Sequence, residues 1–341
     1  MSKSRWAVAL LCGAVMLLPA ASALAAGGDD AGFDTGFAVR NDSALSQVFA
    51  LPPIGAPHVL APGDGQFRAD LDWTNEFVDQ AAGSETLIED GETQRYTLSL
   101  RRGFAGGPWG GYELGVSLPV IALNGGVLDG IIQNYHKLFG FPNGGRNLRP
   151  HDQVLYQYTR SGDTGLDTGL DMDSSHTGLG DMTLSAGVQA RPGLALRAEL
   201  KLPTGASRYL EGGNLGGAVW LDFDPFEYLP PSRWFGFLSL GGSYNQTSAV
   251  LPELQRHAIL LGGLGAGFHV TQKFALLAQF YAHSPLWKHT EISALRKMGL
   301  QGAFGGRYAF SRHLAFEAGF QEDLVTDSSP DFSIHLGAIV R

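Results

Sequence analysis

The chain has 341 residues, a formal charge of −9 and a single cysteine, with 47 glycines, 11% aromatic residues and only 17% charged ones. An acidic balance argues against a nucleic-acid partner, and one cysteine rules out an internal disulfide or a multi-cysteine metal site. Abundant glycine and aromatic residues suit many strands joined by tight turns, with aromatic girdles at a membrane interface.

In chain order, Lys3 and Arg5 precede an apolar run from Trp6 to Leu18, and Ala23-Leu24-Ala25 supplies a small-residue cleavage site. The run is shorter than the roughly 20 residues that cross a bilayer as a helix, so residues 1–25 read as a cleaved secretory signal peptide. Cys12 lies inside it, and Leu11 stands where a lipidation site needs a small residue. Loss of Lys3 and Arg5 with the signal takes the charge from −9 to −11. Residues 26–65, rich in Pro, Gly and Ala, form an N-terminal segment. Its Phe49, Leu51 and Ile54 are more apolar than a solvated lead requires, which favours a plug folded into a lumen.

After Gly65, apolar and polar residues alternate with a period of two. Phe67, Ala69, Leu71, Trp73 and Phe77 take one face while Arg68, Asp70, Asp72, Thr74 and Glu76 take the other. Such runs occupy 66–78, 93–104, 112–120, 152–159, 181–190, 194–203, 215–223, 234–244, 257–270, 274–283, 298–310, 314–322 and 332–340. Strands of 9 to 11 residues span an outer membrane when tilted, and short connections (191–193, 271–272, 311–313) alternate with long ones. The fold expected is all-β, a transmembrane antiparallel β-barrel of about 12 to 14 strands occupying residues 66–341. Leu314, Phe316, Ala318 and Phe320, with Phe274, Leu276, Ala278 and Phe280, then face lipid, and Lys273, Gln279, Glu317 and Gln321 look inward.

Thirteen runs cannot close a barrel with both termini on one side, because such barrels have an even strand number. A fourteenth is sought either at 33–41 or at 164–172. The second choice puts the 121–151 connection outside the cell and is preferred; the first makes it periplasmic.

That connection holds the one helical pattern. Leu128, Ile131, Ile132, Tyr135, Leu138 and Phe139 recur at helical spacing, Asn124 is the expected N-cap, and Gly140 with Pro142 the stop. Asp129, Gln133 and Lys137 are expected to face away. The apolar stripe makes Leu128, Ile131, Ile132, Tyr135, His136 and Phe139 candidates for a lid on the barrel mouth, against a simpler reading as a structural loop. His136 as a catalytic base needs a nucleophile and an orienting carboxylate that spacing does not supply.

The blocks RNDSALSQVFALP (Arg40 to Pro52), DGET (Asp90 to Thr93), GGVLDGIIQNYHKLFGFPNGGR and a hairpin running from GLGD (Gly178 to Asp181) to KLPTG (Lys201 to Gly205) carry a resemblance. The chain resembles an uncharacterised proteobacterial outer-membrane family, the domain of unknown function 3187, and is similar to the long-chain fatty-acid and aromatic-hydrocarbon channel type. The resemblance implies uptake by passive diffusion past an N-terminal plug. One departure is the C-terminus, where Arg341 stands in place of the final aromatic residue of a barrel-assembly signal.

Lumen-lining candidates are Arg68, Asp70, Asp72 and Glu76 on one strand and Arg197, Glu199 and Lys201 on another. Mixed signs at alternate positions serve either as a solute-selecting eyelet or as an electrostatic filling of a narrow barrel. Asp163, Asp167, Asp171 and Asp173 are hard oxygen ligands, but they lack the spacing of a calcium loop. Neither a metal nor a cofactor is expected, and no enzyme. The function expected is an outer-membrane channel for passive diffusion of small solutes, hydrophobic ones included. The alternatives are an outer-membrane lipid hydrolase or a structural barrel with a filled lumen. Partners would be outer-membrane lipid, a small-molecule solute and the barrel-assembly machinery.

Overall fold

Strands with one apolar and one polar face can sit in a bilayer only if their sheet closes, because lipid satisfies no open edge. The computed structural model, which describes residues 33–106, 111–139, 149–162, 165–230, 232–325 and 328–341, shows that closure. The strands are β1 (Gly65–Ala82), β2 (Glu85–Ala105), β3 (Gly111–Asn124), β4 (Leu155–Gly162), β5 (Gly165–Met172), β6 (His176–Leu179), β7 (Thr183–Arg191) and β8 (Leu194–Lys201). They continue with β9 (Gly216–Phe223), β10 (Trp234–Asn245), β11 (Ala258–His269), β12 (Phe274–His283), β13 (Gly299–Ser311), β14 (Leu314–Asp323) and β15 (Phe332–Val340). Among the described residues two α-helices interrupt them, α1 (Asp129–Phe139) and α2 (Ser293–Arg296).

Antiparallel pairing runs β1, β2, β3, β7 and then stepwise to β15, which returns to β1 with His335 opposite Asp72. β6 pairs with the outer end of β3 and continues the line of β7 across a break at Gly180–Met182. β4 and β5 form a hairpin attached to Glu85–Asp90 of β2, beyond the ring. Twelve strands therefore close the barrel.

The parity problem resolves by subtraction. Of the thirteen runs, 152–159 is the one outside the ring; it becomes β4, and the 164–172 run becomes its hairpin partner β5. The other candidate, 33–41, contains no strand. β1 and β2, at 18 and 21 residues, overrun the barrel and give β4 an edge to pair with. β3 ends at Asn124 on the same side, opposite the C-terminus, so α1 lies at the end that faces outward in outer-membrane barrels. The long connections at 202–215, 246–257, 284–298 and 324–331 share that end.

Leu240 and Leu260 are each 70% exposed on the outer face, while Gln279, Glu317 and Gln321 are buried within. Lys273, expected to face inward, is exposed because it sits in the β11–β12 turn rather than on β12. Aromatic pairs gather in two belts. Phe104–Tyr112, Trp234–Phe268 and Phe310–Phe316 mark the inner end; Phe280, Phe304, Phe320 and Phe332 mark the outer.

The outer mouth is filled by a hydrophobic core. Leu45, Val48, Phe49 and Leu51 of the N-terminal segment pack there with Tyr156 of β4, Leu251, Trp287 and Ile292. Phe49 meets Trp287 edge-on, with ring centroids 5.1 Å apart.

Candidate functional site in the barrel lumen

Residues 33–64 run through the interior and are held by inward side chains from around the ring. Gln279 of β12 accepts Phe37 N–H at 2.7 Å, Glu76 of β1 accepts Ala44 N–H at 2.8 Å, and Asn245 of β10 accepts Ala50 N–H at 2.6 Å. Asp222 of β9 accepts Gly55 N–H at 3.0 Å, and Glu113 of β3 accepts Leu60 N–H at 2.8 Å. Apart from one short 3-10 helix, Ala44–Val48, the segment makes no regular structure of its own, so its backbone needs such partners once it leaves water. The wall's polar residues supply them.

The seven lumen candidates are buried, apart from the half-buried Glu199, but they do not meet at one constriction. Arg68, Asp70 and Asp72 join an ion-pair network on β1, β13, β14 and β15. Arg68 donates to Asp70 at 2.9 Å and to Glu317; Glu317 also receives Arg307 and lies 3.0 Å from His335 Nε2, whose Nδ1 is 2.7 Å from Asp72. Arg307 in turn donates to the carbonyls of Phe33, Thr35 and Gly36. Arg197 belongs to a second centre. It pairs with Glu113, lies 3.2 Å from Asp222, and donates to the carbonyls of Ala56 and His58 at 2.8 and 2.9 Å. Lys201 belongs to a third, with Asp181 and Asn214. Glu76 stands apart, also accepting Thr93 Oγ1 at 3.0 Å.

Asp70, Glu317 and His335 lie close enough for a metal, but Arg68 and Arg307 already occupy that acidic centre. Of the acidic-loop residues, Asp171 and Asp173 are exposed, Gln157 donating to Asp171; Asp163 and the side chain of Asp167 lie outside the described residues.

Between the N-terminal segment and β1, β2, β3, β7 and β8 there remains a cavity of about 140 Å³. Arg95, Thr97 and Ser99 of β2 and Thr183 and Ser185 of β7 form its polar side, and Phe37, Pro53, Ile54 and Trp220 its apolar side. Sequence reasoning did not single out Arg40, Arg95, Glu113, Asp181 or Asp222 as lumen residues; Glu317 was expected to look inward, and does, but its place at the centre of an ion-pair network was not foreseen. All but Arg40 face the lumen from the wall. Their alternation with outward residues was the usable signal, except at Asp181, which lies in the break before β7.

The anchor of α1 lies on the other side of the wall. Trp73 and Asn75 share the outward parity of β1, Trp73 Nε1 donates to Glu92, and Glu92 Oε1 accepts the N–H groups of Val127 at 2.9 Å and Leu128 at 2.5 Å. Asn75 donates to Asp129 at 3.2 Å, and Asp129 accepts Asp152 N–H at 2.9 Å. Glu92 thus satisfies the N-terminal donors expected of Asn124, and Asp129, expected to face away, is buried. Leu128 and Ile132 are buried; the side chains of Ile131, Tyr135, His136 and Phe139 and the stop at Gly140 and Pro142 lie outside the described residues.

The hairpin blocks interlock. Asp181 of GLGD accepts Gly205 N–H of KLPTG at 2.8 Å and Gly213 N–H at 2.9 Å, and Thr204 Oγ1 donates to Gly180 O at 2.8 Å.

A sequence model described as Protein of unknown function (DUF3187) matches residues 14–341 of the chain. No curated protein matches it significantly. Among solved structures, an outer membrane channel from Pseudomonas putida F1 is similar with 12% identity and a TM-score of 0.53, covering 84% of this chain and 98% of that one. The toluene transporter TbuX of Ralstonia pickettii is more distant, at 11% identity and a TM-score of 0.42 over 91% and 96% of the two chains. The first likeness supports the twelve-stranded fold.

Proposed function

The chain belongs to the DUF3187 family, and we propose that it is an outer-membrane channel through which small solutes diffuse, with residues 33–64 acting as a luminal plug. The observation that carries this reading is the cavity between the plug and the β1–β3 and β7–β8 wall. A barrel kept only as scaffold gains nothing from a void, since unfilled interior space costs packing energy. Inward of the apolar core at the outer mouth, the wall holds the plug through hydrogen bonds and ion pairs, which water can replace one at a time, beside smaller apolar clusters at Phe37 and Ile54. Selectivity would then lie in the charge pattern of the lumen. No cofactor enters, and no residue is assigned a catalytic role.

The apolar core across the outer mouth favours the structural barrel as a second reading. Cross-linking separates the two. A Cβ built on Gly216 would lie 3.2 Å from Ala50 Cβ, close to disulfide distance, although Asn245 Oδ1 must yield slightly. The channel predicts single-channel steps from the A50C/G216C protein in planar bilayers under reducing conditions and their loss on oxidation. Silence of the reduced and the unsubstituted proteins alike would favour the structural barrel.

A further inference from the structure

We propose that the luminal cavity is a binding site for a small organic monocarboxylate, which deepens the channel reading by naming the solute class and rests on it for the route of entry. The cavity has two chemically distinct sides. Its polar side presents five arginines against three carboxylates, together with the hydroxyls of Thr97, Ser99, Thr183 and Ser185. Its other side is the apolar surface of Phe37, Pro53, Ile54 and Trp220.

Arg95 distinguishes this space from a mere gap between ion pairs. Arg68 and Arg197 are each bound directly by a carboxylate that is not part of the cavity lining, Glu317 and Glu113 respectively. Arg95 is only 7% exposed, and its hydrogen-bond partner is one amide oxygen, Gln47 Oε1 at 2.7 Å; the carboxylates of Asp42, at 3.8 Å, and of Asp72 and Glu199 act on it electrostatically without binding its fork directly, and the neighbouring Arg40 offsets part of their field. A guanidinium carries five N–H donors in a fork that matches a carboxylate bidentately. The donors not used at Gln47 belong to a side chain that lines the cavity.

Size and shape narrow the class. A cavity of about 150 Å³ admits a benzene ring, so about 140 Å³ suits a single ring or a short alkyl chain, and a carboxylate can displace water at the polar end. A neutral hydrocarbon would strip water from Arg95 and the hydroxyls without replacing their hydrogen bonds, which is unfavourable. A free inorganic anion would leave the Phe37, Ile54 and Trp220 side without contact. An organic acid uses both.

The experiment is calorimetric titration of the full chain in detergent micelles with benzoate and with benzamide, which has nearly the same shape and no charge. Benzoate is expected to bind at least tenfold more tightly. R95Q should bring its affinity down to that of benzamide, and R95K should retain part of the difference. Equal binding of both probes, or benzoate binding unchanged in R95Q, would overturn the proposal. I54W fills the apolar side without touching the charges and is expected to weaken benzoate; unchanged affinity there would also count against it. Thermal unfolding of each variant shows whether the barrel is intact. Because binding is read directly, single-channel steps without a benzoate preference would sink this inference and leave the channel standing; a benzoate site in a protein that never conducts would do the reverse.

Discussion

Asn245, at the outer end of β10, accepts the N–H of Ala50 through Oδ1 at 2.6 Å, joining a wall residue to a backbone group 195 positions earlier in the chain. Ala50 is 1% exposed, so water cannot take over that role without local opening. N245A should leave the amide unsatisfied at a cost of about 1 to 3 kcal/mol. The expected result is faster hydrogen exchange over residues 46–52 with little change in the barrel's melting. Unaltered exchange there would mean that the segment is held elsewhere.

Asp181 gathers Lys201 and the amides of Gly205 and Gly213, and Lys201 is only 3% exposed. D181N should strand a buried ammonium and destabilise the barrel by about 3 to 5 kcal/mol. D181N/K201M removes both charges and should recover much of the loss. Heat-modifiable mobility on gels gives the readout; a double variant no better than D181N would show that the loop amides, and not the charge, dominate.

Gly126 has φ +67°, and a Cβ built on it would lie 1.6 Å from Cδ of Glu92. G126A therefore has to displace the carboxylate that receives Val127 and Leu128. Exchange protection at the amide of Ile132, which bonds to Leu128 O at 2.8 Å, should be lost while the barrel strands keep theirs. Retained protection would mean that α1 has another anchor.

Glu85 lies beyond the membrane-spanning part of β2. Burial pushes its carboxyl up, but hydrogen bonds from Thr290 at 2.6 Å, Arg160, Glu291 N–H at 2.7 Å and Tyr158 at 2.9 Å outweigh that and hold its pKa down at about 2. A carboxyl lowered by folding contributes stability that is present above its unfolded value, near 4.5, and is lost as pH falls from there through about 2. The 284–297 connection should accordingly become protease-sensitive across that window. E85Q should show the same sensitivity at pH 7, and an acid-insensitive loop in the unsubstituted protein would contradict the assignment.

Alternation along each strand determined the barrel, since a strand's two faces need only local residues to declare themselves. Phe316 outside and Glu317 inside are legible two positions at a time. The same alternation misled at 152–159, because a hairpin in water above the membrane carries the same pattern as a strand within it; only the long overrun of β2 decided which it was. The placement of α1 was likewise undetermined. Its amphipathic spacing demanded a surface to bury against, and the carboxylate of Glu92 on the outward side of the wall chose which one. Charged residues could be assigned to the lumen by parity, yet their partners came from strands and from an N-terminal segment far away in sequence. Arg95 shows the limit most plainly: position made it inward, but only the paths of Asp42 and Gln47 through the lumen left its guanidinium facing an open cavity.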